Sequence, residues 1–290
     1  MRTSRIRQKL AQDEPVLVTT LHLTDGAVFE LTSLMGFDGI WVDLEHHAHS
    51  VQTMQGLMRA ARVGSSDIVA RPAKGEFMRM ARLLEAGAQG IMYPRCDSAA
   101  EAREVVKWAK FPPLGKRGLD GGNPDMPYCS MSIPQYVKEA NEQTFIIIQL
   151  EEDHAIDAAE EIAAVEGVDV LMLGPADYSS LSGFAGNFND PRIAEAEARI
   201  ANAARKQGKK WGRPALSLAD AEALVAKGAR FIPFGSDLTM LKRSLEQMQR
   251  DFAPLGFTFT NQLSPPTKQT ESRPNGPPHV RLTTPRVVHT

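Results

Sequence analysis

The 290-residue chain is short of several things, and each scarcity excludes a class of protein. It has 2 cysteines, Cys96 and Cys129, too few for the disulfide framework of a small secreted domain and suited to a reducing cytoplasm. They form no C-x-x-C pair and have no base beside them in sequence, so both read as structural. No apolar run approaches the roughly 20 residues of a membrane-spanning helix. The N-terminus, MRTSRIRQKLAQDEP, lacks the unbroken apolar stretch of a secretion signal and reads as a short amphipathic helix. Neither acidic nor basic residues are in large excess. The 33 Lys+Arg against 35 Asp+Glu give a net charge of −2, so no general grip on nucleic acid or an anionic membrane is expected. No G-x-G-x-x-G follows the first strand-like run, which weakens the case for a doubly wound sheet.

What is there is alternation. Apolar residues make up 42% of the chain, enough for a large core without a metal or disulfide staple. Short apolar runs read as strands: Val16–Leu21, Gly39–Leu44, Ile68–Arg71, Gly90–Tyr93, Phe145–Gln149, Val170–Leu173, Lys210–Arg213 and Phe231–Pro233. Several are rich in Val, Ile and Leu on both faces, as strands buried in a parallel sheet are. Between them, SAAEAREVVKWAK, HAIDAAEEIAAVEG, RIAEAEARIANAARKQG and SLADAEALVAKG carry helical composition and apolar recurrence at three- and four-residue steps. Glycines 36, 87, 167, 208 and 228 fall where helices should stop. About eight β-then-α units in roughly 260 residues predict a (β/α)8 barrel over 1–263. Residues 264–290 are rich in Pro and polar side chains and are expected to be a disordered tail. The long non-periodic insert Phe111–Ile133 is expected over the mouth of the barrel.

Barrels of this kind carry their chemistry at the C-terminal ends of the strands. The second strand runs into Asp43, Glu45 and His46, with His47 and His49 behind. The third ends in Arg71, the fifth in Gln149 and Glu151, and the sixth in Gly174, Pro175, Ala176 and Asp177. Two readings stand for Glu151 and Asp177: ligands of a hard divalent ion, or caps of the helices after them. Arg71 is either paired structurally or aimed at an anionic ligand, since an unpaired buried charge is too costly. The Gly174–Asp177 turn offers free backbone N–H groups to a carboxylate or phosphate. His46 is a general base oriented by Asp43 or Glu45, or a surface histidine. H-H-x-H is no zinc spacing. His154 reads as a surface residue. No lysine ends a central strand, which disfavours catalysis through a Schiff base.

GFDGIWVDLEHHAHS, IVARP, GAQGIMYPRCDSAAEAREVVKWAKFPPLGKRG, IIIQLEE and VEGVDVLMLGPADYSSLSG resemble the successive signature blocks of the HpcH/HpaI aldolase family, in order, from about residue 5 to 252. The resemblance implies a (β/α)8 barrel of the phosphoenolpyruvate/pyruvate type and a metal-dependent class II pyruvate aldolase. Such a lyase interconverts 4-hydroxy-2-oxo acids with pyruvate and an aldehyde. It implies Glu151 and Asp177 as ligands of Mg²⁺, Mn²⁺ or Co²⁺, Arg71 as the enolate-stabilising arginine, and His46 with Asp43 as the proton-transfer pair. It places Gln149 beside the bound keto acid, and Gly174 and the backbone of Ala176 and Asp177 at its carboxylate. It also implies hexamers built from dimers that exchange the helix at about Leu238–Phe252. Departures from better-known members, in Leu119–Ile133, Tyr178 and Pro214, are expected to surround the aldehyde. Oxaloacetate decarboxylation, or coupling of its enolate to another electrophile, is the alternative from the wider superfamily. An inactive barrel scaffold is a further one, opposed by the retained Glu151, Asp177, Arg71 and His46.

Overall fold

The eight apolar runs become eight parallel strands in the computed structural model, which describes residues 1–263. They are β1 (Val16–Thr20), β2 (Gly39–Asp43), β3 (Asp67–Arg71), β4 (Gly90–Tyr93), β5 (Phe145–Leu150), β6 (Val170–Leu173), β7 (Lys210–Gly212) and β8 (Phe231–Ser236). Each pairs with its neighbour in sequence, and β8 returns to β1, closing the barrel. A closed parallel sheet has no free edge and two buried faces, which is why β2, β3, β4, β5 and β6 are buried at every position. Inside the barrel, Val18, Trp41, Val69, Met92, Ile147 and Met172 fill the bore with Ile6 and Leu10. The expected N-terminal helix forms over Arg5–Ala11, and it is this helix that supplies Ile6 and Leu10. Outside the barrel, the alternate strand residues pack on the helices in one continuous layer.

The helices match the sequence periods with one break. HAIDAAEEIAAVEG forms two short helices, Asp153–Asp157 and Ala159–Ala163. The five glycines expected to end helices all have positive φ. Residues 1–243 form one compact unit, and among the described residues 244–263 belong to a second. The helix Asp237–Phe252 spans the boundary in sequence. In the second unit the Phe252 and Phe257 rings meet edge to face at 5.6 Å. The predicted tail, 264–290, lies outside the described residues. Among the described residues no helix is long and apolar enough to cross a membrane.

The insert is not over the mouth. It lies between the end of helix Ala99–Ala109 and the start of β5, and that helix runs back from the mouth to the N-terminal face. Lys110 accordingly donates to the carbonyls of Asn141 and Thr144 just before β5. Phe111, Met126, Tyr136 and Ala140 form a small separate core, with Met1 packed against it. Arg117, Asp125 and the Tyr136 hydroxyl interlock inside that core. Composition marked the segment as unusual, but the direction of the preceding helix decides which end of the barrel it occupies.

Candidate active site

The mouth is built from strand ends. Asp43 and Arg71 are register partners on β2 and β3, so their side chains emerge together. Arg71 donates from Nε to Asp43 Oδ1 at 2.9 Å and from Nη2 to Oδ2 at 2.6 Å. Its Nη1 reaches Gln149 Oε1 at 3.4 Å, Glu45 Oε2 lies 3.2 Å from Nε, and the guanidinium rests 4.7 Å over the Trp41 ring. Arg71 is only 6% exposed. Burial alone would weaken its charge, but Asp43, then Glu45 and Glu151, outweigh burial and raise its pKa. Burial also opposes the charge on Asp43, and Arg71 reverses this, so Asp43 stays ionised below the usual carboxylate range. The bidentate fork holds the guanidinium plane fixed.

On the opposite arc, Glu151 follows β5 and is 2% exposed. Burial first, and then the like charge of Asp177, push its pKa up to about 7. One oxygen accepts from the Arg95 backbone N–H at 2.9 Å, and the other from Gln149 Nε2 at 3.3 Å. Gly174 backs it closely: a Cβ at that position would stand 2.0 Å from Glu151 Oε1. Asp177 is half-buried in the first turn of the short helix Pro175–Leu181, where the amides of Ala176 and Asp177 have no intrahelical acceptor. Glu45 also feels Asp177; burial, more than that charge, raises its pKa against the pull of Arg71.

The donor set suits a hard divalent cation. Asp177 raises the proton affinity of Glu151, Gly174 backs the Glu151 carboxylate closely, and among the described residues no cationic side chain is bonded to either acid. Among the described residues there is no group of three or more His, Cys, Asp or Glu able to hold a metal, so these two carboxylates would leave further ligand positions to water and substrate.

The structure brings Asp43, Arg71, Gln149, Glu151, Gly174 and Asp177 together as the strand ends suggested. It places His46 differently. The ring is exposed, and its nearest carboxylate is Glu45, 3.7 Å from Nε2; Asp43 meets only the His46 backbone N–H, at 3.4 Å. Asp43 is committed to Arg71. The other histidines stack: His22 on His47 at 4.6 Å, and His47 on His49 at 5.5 Å. Tyr178 is buried, donates to Asp153 at 3.0 Å and packs edge to face on Phe184. Cys96 is buried, and burial lifts its thiol to about 12; Cys129 is exposed in the insert. His154 is exposed, as expected, and pairs with Asp97 at 3.1 Å.

Reading β2, β3, β5 and β6 alone passed over Arg95 at the end of β4. Its signal was a Pro-Arg-Cys step after a buried strand. A cavity of about 360 Å³ opens over Asp43 and Arg71 on the β1, β7 and β8 side, walled by Thr20, His22, Leu216, Phe234 and Ser236, among others.

The HpcH/HpaI aldolase/citrate lyase family model matches residues 21–244. A hydroxypyruvate/pyruvate aldolase of Delftia acidovorans is 35% identical over 215 residues, covering 74% of this chain and 80% of that protein. A 4-hydroxy-2-oxo-heptane-1,7-dioate aldolase of Escherichia coli is 32% identical over 243 residues, covering 84% of this chain and 92% of that protein. The crystal structure of an HpcH/HpaI aldolase from Desulfitobacterium hafniense matches with a TM-score of 0.81 at 28% identity, covering 89% of this chain and 98% of that one. A match across the barrel and its strand-end acids, with relatives above 30% identity, leads to one conclusion: the chain belongs to the HpcH/HpaI aldolase/citrate lyase family.

Proposed function

We propose that this enzyme catalyses metal-dependent aldol cleavage and condensation of 4-hydroxy-2-oxo acids, with pyruvate and an aldehyde as the smaller partners. As a member of an aldolase family it is a carbon–carbon lyase. The observation that carries the reading is the buried Glu151, raised to about 7 by burial and by Asp177, across from the buried, doubly anchored Arg71.

A divalent cation such as Mg²⁺, Mn²⁺ or Co²⁺ at Glu151 and Asp177 would supply Lewis acidity to the 2-oxo acid carbonyl. The chain's own residues do the rest. Arg71 sets a positive charge of fixed orientation where negative charge develops on the substrate oxygen. Asp43 holds that guanidinium in plane, and Gln149 ties Arg71 to Glu151. The first-turn amides of Ala176 and Asp177 suit the substrate carboxylate. His46, exposed at the rim beside Glu45, takes and returns the proton of the 4-hydroxyl. The cavity over Asp43 and Arg71 receives the aldehyde portion.

The reading extends to location and assembly. Two unpaired cysteines suit a cytoplasmic enzyme. Leu238, Leu241, Leu245, Met248 and Phe252 are exposed at three- and four-residue steps along one helix, which supports burial against a second copy in a homo-oligomer. The direct test assays 4-hydroxy-2-oxo acids and oxaloacetate with EDTA or with added Mg²⁺, Mn²⁺ or Co²⁺. The reading requires metal-restored release of pyruvate from the hydroxy-oxo acids. Full turnover in EDTA, or activity on oxaloacetate alone, refutes it.

A further inference from the structure

Glu151 is held by a backbone amide, and that amide belongs to a residue in an unusual conformation. Arg95 has φ 49°, the left-handed region that non-glycine residues seldom enter. Strained backbone of this kind persists only where neighbours over-determine it. Here three bonds pin the segment. The Arg95 N–H donates to Glu151 Oε2 at 2.9 Å. The next N–H, of Cys96, donates to the Gln149 carbonyl at 3.1 Å. The Arg95 carbonyl accepts from Lys74 Nζ at 2.6 Å. Lys74 is the one cationic side chain bonded to this stretch of backbone among the described residues, and it also pairs with Asp97.

Lys74 stands three residues after Arg71, on the loop between β3 and the next helix. That loop is itself tied to β4, because the Gly75 N–H donates to the Tyr93 hydroxyl at 3.0 Å. The Tyr93 hydroxyl in turn donates to Glu101 at 2.6 Å, and Glu101 accepts the Asp97 N–H at 2.8 Å. The loop that follows Arg71 and the segment supporting Glu151 are therefore stitched together at Lys74 and Gly75.

We propose that Lys74 is a positioning residue of the active site: by gripping the Arg95 carbonyl it keeps the Arg95 amide aimed at Glu151, and so sets the geometry with which Glu151 meets its cation. The proposal rests on the assignment of Glu151 as a metal ligand. It makes a prediction of distinctive sign. If Lys74 acted only as a nearby positive charge, removing it would relieve repulsion and tighten cation binding. As a positioning residue, its loss loosens Glu151 and weakens binding, by about tenfold on the scale of partners that orient metal ligands.

The test is calorimetric titration of the full-length apoprotein with MnCl₂, for wild type, Lys74→Met and Lys74→Arg, with melting temperatures of the apo forms alongside. Lys74 is partly exposed on a surface loop, so the apo melting temperature should hardly move. Should the Met variant misfold, Lys74→Gln takes its place. The expected result is a roughly tenfold higher Kd for Mn²⁺ in the Met variant, with recovery in the Arg variant, which keeps a long cationic donor. Unchanged or tighter Mn²⁺ binding in Lys74→Met overturns the role of Lys74 while leaving the metal assignment intact. No recovery in Lys74→Arg overturns it as well. Absence of Mn²⁺ binding in wild type overturns the metal assignment itself, and the role of Lys74 with it.

Discussion

Two buried acids, one at each end of the barrel, differ in what surrounds them. Asp67 opens β3 at the N-terminal face, fully buried, and its pKa is raised to about 6. Glu151 follows β5 at the mouth, nearly as buried, and stands at about 7. Burial is the first cause in both. The second cause differs. Around Asp67 the remaining influences all oppose burial: the Ser4 hydroxyl at 2.6 Å, the Ile6 N–H at 2.8 Å and the charge of Arg2. Around Glu151 the next influence is another acid, Asp177, which adds to burial. The N-terminal helix and its Ser4 cap supply donors to Asp67 Oδ2, while Oδ1 is buried without a hydrogen-bond partner among the described residues. At the mouth the charge of Asp177 adds to the burial of Glu151, a repulsion that a proton on Glu151 or an added cation would relieve.

The largest effect should come from Arg71, the fixed cation of the mouth. Arg71→Lys keeps the charge and loses the two-pronged grip on Asp43. Turnover is expected to fall by about two to three orders of magnitude, the scale for loss of a preorganised charge at a reacting oxygen. A steady-state rate near wild type would remove Arg71 from the chemistry. Next is Gly174→Ala. The new methyl must displace the Glu151 carboxylate, 2.0 Å away, so Mn²⁺ affinity should drop about tenfold or more with the fold retained. Unchanged affinity would mean that Glu151 is not confined as described.

The pH response separates the two acids more finely. Glu151 binds its proton more tightly folded than unfolded, about 7 against an ordinary 4.5. Across that window the folded state holds the extra proton, so apoprotein stability falls as pH rises. A cation at Glu151 cancels the penalty. Added Mn²⁺ should therefore raise the melting temperature more at pH 8 than at pH 5.5, by a margin on the order of 5 °C. An equal shift at both pH values would contradict this. Asp67 gives a slope of the same sign between its ordinary 3.8 and about 6, but it lies at the other end of the barrel from Glu151. Asp67→Asn should flatten the apo melting profile over pH 4–6 slightly and leave the Mn²⁺ shift at pH 8 untouched. Loss of that shift would break the contrast between the two ends.

Local periodicity made the barrel legible. All eight strands lie within three residues of their expected ends, because β-branched runs buried on both faces are a strong signal. The converging residues were legible for a topological reason: every parallel strand delivers its last side chain to the same mouth. What stayed hidden depended on non-local geometry. Residue type leaves both Asp43 and Glu45 open as the acid beside His46; strand register commits Asp43 to Arg71 and leaves Glu45 nearer the imidazole. The insert was assigned to the wrong end because its preceding helix reverses direction. The Arg95 amide could not be read from residue type, since any amino acid except proline carries one.

The central claim is that Glu151 and Asp177 together hold one divalent cation, and calorimetric titration of the apoprotein with Mn²⁺ at pH 7 tests it most directly. The account predicts one saturable site per chain, lost in both Glu151→Gln and Asp177→Asn, with proton release on binding because Glu151 titrates at about 7. Failure to saturate, or a site that survives either substitution unchanged, would contradict it.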